Sequence, residues 1–237
     1  ARTYTLYKIQ TGGNHGDEPI SAPTPPAVRP ISPRTARENW GEDADANEAK
    51  SRTAVRDTDG ETILYNGTPI LAVFHSSSAG QTRAAGEVWV SDLPYLQAVA
   101  SPERGMPFPT ITAGRSLPRR SFGRRWPRPA GGGSVRRHGH VLKNPVTDTA
   151  GSVETVELGG VTVKGSTVRS ILGLRSACFE WEVQEGTLVF FVTGFGHGVG
   201  MSQYGANQMA AEGADYVEIL THYYTGVTVG PYAAGQG

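Results

Sequence analysis

Glycines alternate with larger residues in the segment Gly194–Gly200, GFGHGVG, and one histidine, His197, stands in its middle. In an extended chain successive side chains point to opposite faces, so the glycines leave one backbone face bare. A bare face is useful where another backbone or a ligand must approach closely. The apolar strand TLVFFVT precedes the segment, and Ser202 is placed to cap a helix after it. We expect His197 at a strand-to-helix junction, either as a cleft residue or as one that only shapes the turn.

The other reactive residues indicate neither a serine hydrolase nor a metal site. Ser202 lies in GMSQY, which lacks the second glycine of a Gly-x-Ser-x-Gly nucleophile elbow. His138 and His140 form a His-x-His pair, but no cysteine or acid lies close by in sequence to complete a ligand set. The single cysteine, Cys178, has apolar neighbours and is predicted to be a small buried residue. We expect no metal and no cofactor.

Composition excludes a strongly charged or membrane-spanning chain. The 237 residues carry 22 Lys and Arg against 22 Asp and Glu, so no net charge draws the chain to nucleic acid, which we do not expect as a partner. No apolar run reaches the roughly 18 residues that a bilayer span needs, so no membrane anchor is expected here. The first residues, ARTYTLYKIQ, look like the end of a helix. We therefore expect an N-terminally truncated chain, a fragment or a processed form.

Turn signals and hydrophobic patterns predict an α+β fold of mainly antiparallel sheets and hairpins with a few short helices. Asp59-Gly60 and Asn66-Gly67 predict a three-stranded meander over residues 53–74, and Gly159-Gly160 predicts a hairpin over residues 153–164. A short helix and then a strand are expected after Lys164. The pair Asp215 and Glu218 predicts a capped helix that ends before Gly226.

Two stretches lack periodicity and are rich in proline and glycine. Residues 8–50 are expected to form a long loop with a short helix near Thr35–Trp40. Residues 105–147 form an arginine-rich insertion or linker, in which Arg115–Lys143 contains no acid. The alternative for this insertion is a basic surface for an anionic polymer, where Phe122 and Trp126 would stack on bases or sugars.

Four blocks, taken in order, resemble the stage II sporulation protein D family. They are FHSSSAGQT, EVWVSDLPYLQAVASPE, TVRSILGLRSACFEW and GFGHGVGMSQYGANQMAAEGADYVEILTHYYTG, and ARTYTL resembles the end of the helix that carries the family's N-terminal motif. The resemblance covers residues 1–7, about 53–103 and about 153–226. It implies one domain over residues 1–237, with a groove between two motif-bearing halves.

The resemblance implies a bacterial cell-envelope protein that acts outside the cytoplasm on peptidoglycan glycan strands. Characterised members are lytic transglycosylases that prefer strands stripped of stem peptides, and some relatives enhance a cell-wall amidase. One glutamic acid with a raised pKa can protonate the glycosidic oxygen and then take the proton of the C6 hydroxyl. In this family that glutamate lies upstream of Ala-Arg-Thr-Tyr, and hence before Ala1. A non-catalytic glycan-binding or amidase-enhancing module is therefore the alternative, with the amidase or another envelope protein as partner.

The family match also implies site residues. Tyr95 and His197 are the catalytic candidates, although Tyr95 also fits a core position. A bend in FHSSSAGQT supplies polar groups on one side of a saccharide trough, unless the bend only satisfies its own backbone. His197, Gln203 and Tyr204 form the opposite wall. Among acids flanking the PYL motif (Glu87, Asp92 and Glu103), Glu87 is a substitute acid or a surface carboxylate. The substrate-binding candidates are His75, Ser76, Ser77, Gln81, Thr82, Glu87, Trp89, Gln203 and Tyr204.

Overall fold

The described residues of the computed structural model form an α+β fold. They are residues 1–11, 32–89, 91–101, 103, 115–118, 142–184 and 187–233. The chain divides into two compact units, one of residues 1–71 with 227–237 and the other of residues 72–226. No described helix is long and apolar enough to cross a membrane.

In its described residues the first unit combines three α-helices and a short 3-10 helix (Gly41–Asp43) with a three-stranded antiparallel sheet. Its elements are α1 (Arg2–Gln10), α2 (Pro33–Trp40), α3 (Ala44–Asp57), β1 (Glu61–Tyr65), β2 (Thr68–Pro69) and β13 (Thr228–Pro231), in the sheet order β13-β1-β2. The hydroxyl of Thr3 accepts a hydrogen bond from the backbone N–H of Ile63 at 3.0 Å. This buried bond ties α1 to the central strand.

Three predicted features of this unit are confirmed: the helix at ARTYTLYKIQ, the helix near residues 35–40 and the Asn66-Gly67 hairpin. In the hairpin turn, φ is 51° at Asn66 and 75° at Gly67. The expected loop over residues 44–50 and strand from residue 53 are wrong, since these residues form α3. Its sequence, ADANEAKSRTAV, is rich in helix formers. Asp59-Gly60 follows this helix and makes no hairpin. The third strand is β13 from the far end of the chain, a pairing that local turn signals cannot reveal.

The second unit contains several small sheets and short helices. Its described elements are β3 (Phe74–His75), β4 (Gly80–Gln81), α4 (Ala85–Val88), β5 (Ala100–Ser101), β6 (Arg115–Pro118), β7 (Leu142–Thr147), β8 (Val153–Leu158), β9 (Val161–Lys164), α5 (Gly165–Leu172), β10 (Phe179–Gln184), β11 (Thr187–Val192), β12 (Met201–Ser202), α6 (Gln203–Ala211) and α7 (Tyr216–Tyr223).

The apolar core of this unit lies between two three-stranded antiparallel sheets and α5. The sheets have the orders β7-β8-β9 and β10-β11-β6. The buried residues of this core are Leu142, Val153, Val156, Leu158, Val168, Leu172, Leu174, Phe179, Leu188, Phe190 and Val192. The predicted hairpin at Gly159-Gly160, the helix after Lys164 and the buried strand from Thr187 are confirmed. Most of the arginine-rich insertion, including Phe122, Trp126, His138 and His140, lies outside the described residues.

Both predicted helix starts near the C-terminus are confirmed. The Ser202 hydroxyl caps α6 by accepting from the N–H of Gly205 at 3.3 Å. At α7, Asp215 accepts from the N–H of Glu218 at 2.8 Å, and Glu218 accepts from the N–H of Asp215 at 2.9 Å. These caps hold the two helices that follow the glycine-rich segment.

We predict that Gly205→Ala destabilises the second unit. An added Cβ would lie 2.1 Å from the Tyr223 hydroxyl and 2.3 Å from that of Ser101, which are hydrogen-bonded to each other at 2.8 Å. In an open helix position the same change stabilises by about 0.5–1 kcal/mol, whereas overpacking here costs about 1–3 kcal/mol. Chemical denaturation followed by tyrosine fluorescence measures the difference. Gly230→Ala, where no atom lies within 4 Å of the new Cβ, is the control, and equal stability of both variants would contradict the prediction.

Candidate functional site

The glycine ladder, residues 194–200, is not an extended strand, so that expectation is wrong. Its four glycines have positive φ values of 76°, 124°, 83° and 71° along the chain, a region in which glycine is favoured. The expected close approach of a second backbone is confirmed. An added Cβ at Gly196 would lie 2.6 Å from the Cβ of His75, and one at Gly200 would lie 2.2 Å from the carbonyl oxygen of Val73.

Backbone hydrogen bonds join the ladder to the segment of residues 73–83, which we call the serine bend. The Phe195 N–H donates to the Ser77 carbonyl at 2.8 Å, and the Ser77 N–H donates back at 3.1 Å. Farther along, the Arg83 N–H donates to the Gly198 carbonyl at 2.8 Å. The two motif segments therefore lie side by side in direct contact.

The carbonyl of Val73 is a junction at the start of the serine bend. It accepts from the Met201 N–H at 3.3 Å and from the Tyr224 hydroxyl at 2.8 Å. Burial raises the pKa of Tyr224, so the hydroxyl keeps its proton and remains a donor. β3 and β12, which pair in parallel, are thereby connected to the residue that follows α7.

A polar pocket lies along the seam between the serine bend and the ladder. It is an open depression with about 300 Å³ of empty space, which includes open solvent. The Ser77 region and His197 thus border one depression, as neighbours along its wall. The polar side chains that line it are Ser77, Ser78, Gln81, Arg83, Ser152, Ser176, Thr193 and His197.

Glu103 accepts hydrogen bonds from both motif segments. Its carboxylate accepts from the hydroxyls of Ser77 at 2.6 Å, Ser78 at 2.8 Å and Ser202 at 2.6 Å, and from the N–H of Ser78 at 2.7 Å. All three serines are buried. We call these four residues the Glu103 cluster, and it ties the serine bend to the first turn of α6.

A second carboxylate next to the pocket, that of Asp148, already has protein partners. Arg83 and Asp148 form an ion pair in which both side chains are almost fully buried. Asp148 also accepts from the backbone N–H groups of Ala150 at 3.0 Å and Ser152 at 2.8 Å. The pair fixes the loop on the other side of the pocket, since breaking a buried ion pair leaves an uncompensated charge.

Two histidines meet beside the pocket in fixed tautomers. Nδ1 of His75 lies 3.3 Å from the carbonyl of Val199 and must donate, because a carbonyl only accepts. Nδ1 of His197 accepts from the N–H of Val199 at 3.0 Å, so the proton of the neutral ring is on Nε2. The ring centroids of the two histidines are 5.8 Å apart.

Both histidines are neutral at physiological pH. Burial lowers the pKa of His75 to about 4. Burial, followed by the proximity of His75 and the charge of Arg169, lowers the pKa of His197 to about 3. Each ring therefore donates and accepts hydrogen bonds without carrying a charge.

Two buried polar atoms flank His197 without a partner among the described residues: Nε2 of His75 and Nε1 of Trp89. The Trp89 and His197 ring centroids are 5.4 Å apart. With its proton on Nδ1, His75 presents Nε2 as an acceptor, while the indole Nε1–H of Trp89 is a donor. Unsatisfied buried polar groups are uncommon and indicate that water or a ligand group belongs there.

Several other predicted site residues have structural partners. Thr82 is fully buried, and its hydroxyl accepts from the Val99 N–H at 2.9 Å. Glu87 accepts from the Ala84 N–H at 2.9 Å, which caps α4. Tyr95 is buried, and its carbonyl accepts from the N–H of Thr225 at 3.1 Å. Gln81, by contrast, lines the pocket and donates to the Thr149 hydroxyl at 3.2 Å.

The remaining candidates lie where the two segments join. The carbonyl of Ser76 accepts from the N–H of Tyr204 at 3.1 Å, while Gln203 begins α6 with an exposed side chain.

The sequence did not predict two carboxylate contacts. It placed Glu103 only beside the PYL motif and missed its hydrogen bonds to serines, and it missed the ion pair of Arg83 with Asp148 entirely. The run of three serines without an obvious partner was a signal for Glu103. No local pattern links Arg83 with Asp148.

Within the described ranges, no three His, Cys, Asp or Glu side chains are grouped closely enough to hold an ion. The half-buried Cys178 lines the pocket, and burial raises the pKa of its thiol, which disfavours the thiolate. The other polar groups of the pocket include serine and threonine hydroxyls, the Gln81 amide and the neutral His197 imidazole, and these groups can bind the hydroxyls of a ligand.

Comparison with known proteins places the chain in a family. It is 39% identical over 196 residues to the stage II sporulation protein D of Bacillus amyloliquefaciens, which covers 81% of this chain and 54% of that protein. It is 37% identical over 195 residues to the protein of the same name from Bacillus subtilis (strain 168), with the same two coverages. The chain belongs to the stage II sporulation protein D family.

The matches differ in how much of each relative they cover. The chain spans about half the length of the sporulation proteins it matches. It is also 30% identical over 235 residues to a protein named amidase enhancer from Bacillus subtilis (strain 168), which covers 78% of this chain and 33% of that protein. No protein-family model matches the chain.

We predict that Glu103→Ala unfolds the second unit at lower denaturant concentration. Three buried serine hydroxyls and one N–H lose their common acceptor, which costs about 2–4 kcal/mol for hydrogen bonds to a charged group. Glu154→Ala removes an exposed carboxylate on β8 and is the control, with an expected change within about 0.5 kcal/mol. Equal denaturation midpoints for the two variants would refute a structural role of the Glu103 cluster.

We also predict that stability falls on mild acidification because of the two histidines. Their pKa values, about 4 and about 3, lie below the unfolded value of about 6.5, so the unfolded chain binds more protons below that pH. The free energy of unfolding is fully retained above pH ~6.5 and falls toward pH 4 by up to about 1.4 kcal/mol per pH unit for each histidine.

Denaturation between pH 7 and pH 5.5 measures this slope. His75→Gln should flatten it, because one of the two linked protons is removed. Val156→Ala, a cavity in the distant apolar core, should lower stability at every pH with the slope unchanged. An identical slope in His75→Gln and the wild type would show that the acid sensitivity comes from other groups.

Proposed function

We propose that the second unit binds peptidoglycan glycan strands as part of a lytic transglycosylase that forms 1,6-anhydro-muramyl products. The observation that supports this best is the direct pairing of the serine bend with the glycine ladder. The pairing creates a pocket lined by hydroxyls, an amide and a neutral imidazole. Such groups suit the hydroxyls of a saccharide, and a nearby aromatic such as Trp89 suits the apolar face of a sugar ring.

The proposed reaction balances without water. The bond between C1 of the muramyl residue and its glycosidic oxygen breaks, and an acid gives that oxygen a proton. The C6 hydroxyl oxygen of the same residue bonds to C1 and gives its proton to the conjugate base. One carboxyl group can therefore act first as acid and then as base.

The pocket residues bind and orient the sugar in this proposal. His75 and His197, whose pKa values are about 4 and about 3, are too weakly basic to carry a proton to a leaving group near neutral pH. The Glu103 and Asp148 carboxylates are occupied by their serine, arginine and backbone donors. The proposal therefore assigns the general acid to the glutamate that the family resemblance implies, and to none of these four residues.

Sugar hydroxyls are suitable partners for the unsatisfied atoms beside His197. A hydroxyl can donate to Nε2 of His75 or accept from Nε1–H of Trp89, whereas a purely apolar ligand satisfies neither. Both atoms are shielded from solvent, so their engagement requires a small movement of the Trp89 ring. In this scheme His197 lies between two hydroxyl-binding groups and fixes the orientation of the ring that contacts them.

A non-catalytic amidase-enhancing module is the second candidate. The relative named amidase enhancer favours it. It is also favoured because the carboxylates of Glu103 and Asp148 are already bound by serine and arginine side chains. The chain would then bind glycan and promote the action of a cell-wall amidase. Both candidates place the protein in the bacterial cell envelope outside the cytoplasm, because their substrate is there.

We predict that the full-length protein releases saccharides with 1,6-anhydro-muramyl ends from glycan strands stripped of stem peptides. Mass spectrometry distinguishes these ends from hydrolysis products, which are heavier by one water. His197→Gln should slow release through weaker sugar binding, and Glu154→Gln, an exposed change outside the pocket, should not. Products with free reducing ends, or no products, would count against lytic transglycosylation.

The full-length protein separates the two candidates when it is added to sacculi with and without a purified cell-wall amidase. Faster release of stem peptides, with glycan strands left at full length, supports the enhancer. Retention on sacculi without either effect leaves glycan binding alone. No retention on sacculi at any salt concentration overturns both.

A further inference from the structure

An arginine stacks on an exposed aromatic ring at the mouth of the polar pocket. The guanidinium carbon of Arg175 lies 5.6 Å from the ring centroid of Phe195, and the Phe195 side chain is 44% exposed. The N–H of Gly196 donates to the carbonyl of Arg175 at 3.0 Å. Arg175 and Phe195 do not line the pocket themselves, but their chain neighbours Ser176, Gly194 and Gly196 do. We call the position of the pair, next to these lining residues, the rim of the pocket.

The charge at this rim has no protein counterion within the described part of the chain. Arg83 is paired with Asp148, but neither Arg175 nor the half-buried Arg169 has an ion-pair partner there. Arg169 donates to the Leu174 carbonyl at 3.4 Å, next to Arg175 in the chain. The exposed guanidinium of Arg175, beside the pocket, therefore has no carboxylate partner among the described residues, and it favours an anionic ligand.

The geometry selects a particular kind of anion. A guanidinium binds a carboxylate through two parallel hydrogen bonds, and its stacking on an aromatic ring holds it in place. The exposed face of Phe195 beside it fits the apolar side of a pyranose, and the pocket hydroxyls fit the sugar's polar groups. A sugar ring that carries a carboxylate matches all three features, whereas a neutral sugar leaves the guanidinium unpaired.

We propose that Arg175 and Phe195 form a subsite for the lactyl carboxylate of N-acetylmuramic acid, and so are the residues behind the preference for peptide-free glycan that the family resemblance implies. The proposal rests on the proposed function. In intact peptidoglycan that carboxyl group is an amide to the peptide and carries no charge. Removal of the peptide exposes the carboxylate, which then pairs with Arg175 while its sugar ring contacts Phe195.

Binding measurements on the 237-residue chain test this assignment with three saccharides of equal length. One alternates N-acetylglucosamine with N-acetylmuramic acid bearing free carboxylates, the second carries the same carboxyls as amides, and the third is a neutral N-acetylglucosamine oligomer. We expect the free acid to bind about tenfold more tightly than the amide, the size of one charge-assisted contact. This preference should shrink as salt is raised, because the rim is exposed.

Variants identify the residues responsible. Arg175→Gln should lower affinity for the free acid to that of the amide and leave affinity for the neutral oligomer unchanged. Phe195→Leu should weaken binding of all three saccharides. Lys164→Gln, which removes an exposed cation at the end of β9, should retain the full preference. Circular dichroism confirms that each variant is folded.

The outcomes separate this inference from the proposed function. Equal affinity for the free acid and the amide overturns the carboxylate subsite alone, and glycan binding stands. A preference that survives Arg175→Gln also overturns the subsite. Failure to bind any of the three saccharides overturns the proposed function together with the inference.

Discussion

The second unit depends on the contact between two backbones, the glycine ladder and the serine bend. At all four ladder glycines an added Cβ would overlap atoms of the bend, and all four have positive φ. Only a chain without side chains on that face can come close enough for the hydrogen bonds between Phe195 and Ser77. The position of His197, the shape of the pocket and the direction of α6 all follow from this contact.

The electrostatics of the pocket follow from which charges are already paired. Asp148 neutralises Arg83, and Glu103 is surrounded by serine hydroxyls. Burial keeps both histidines uncharged, and beside the pocket Arg175 has no ion-pair partner among the described residues. A site of this kind is suited to orient a polar ligand.

The sequence predicted the features that depend on local chemistry. Turn glycines located the hairpins at Asn66 and Gly159, capping residues located α6 and α7, and alternating glycines indicated a close approach. It did not predict contacts between distant segments, such as β13 beside β1 or Arg83 with Asp148, because no spacing rule connects them. The prediction of an extended ladder was wrong, because the alternation of glycines with larger residues does not reveal that each glycine has a positive φ.

The carbonyl oxygen of Val73 joins several elements of the site. Its oxygen receives donors from Met201 and Tyr224 and abuts Gly200, so β3 cannot separate from β12 without releasing the residue after α7 as well. Local fluctuations that expose one strand are thereby converted into a larger, rarer opening. The hydrogen bonds at this junction thus favour a pocket whose wall is already formed in the free protein.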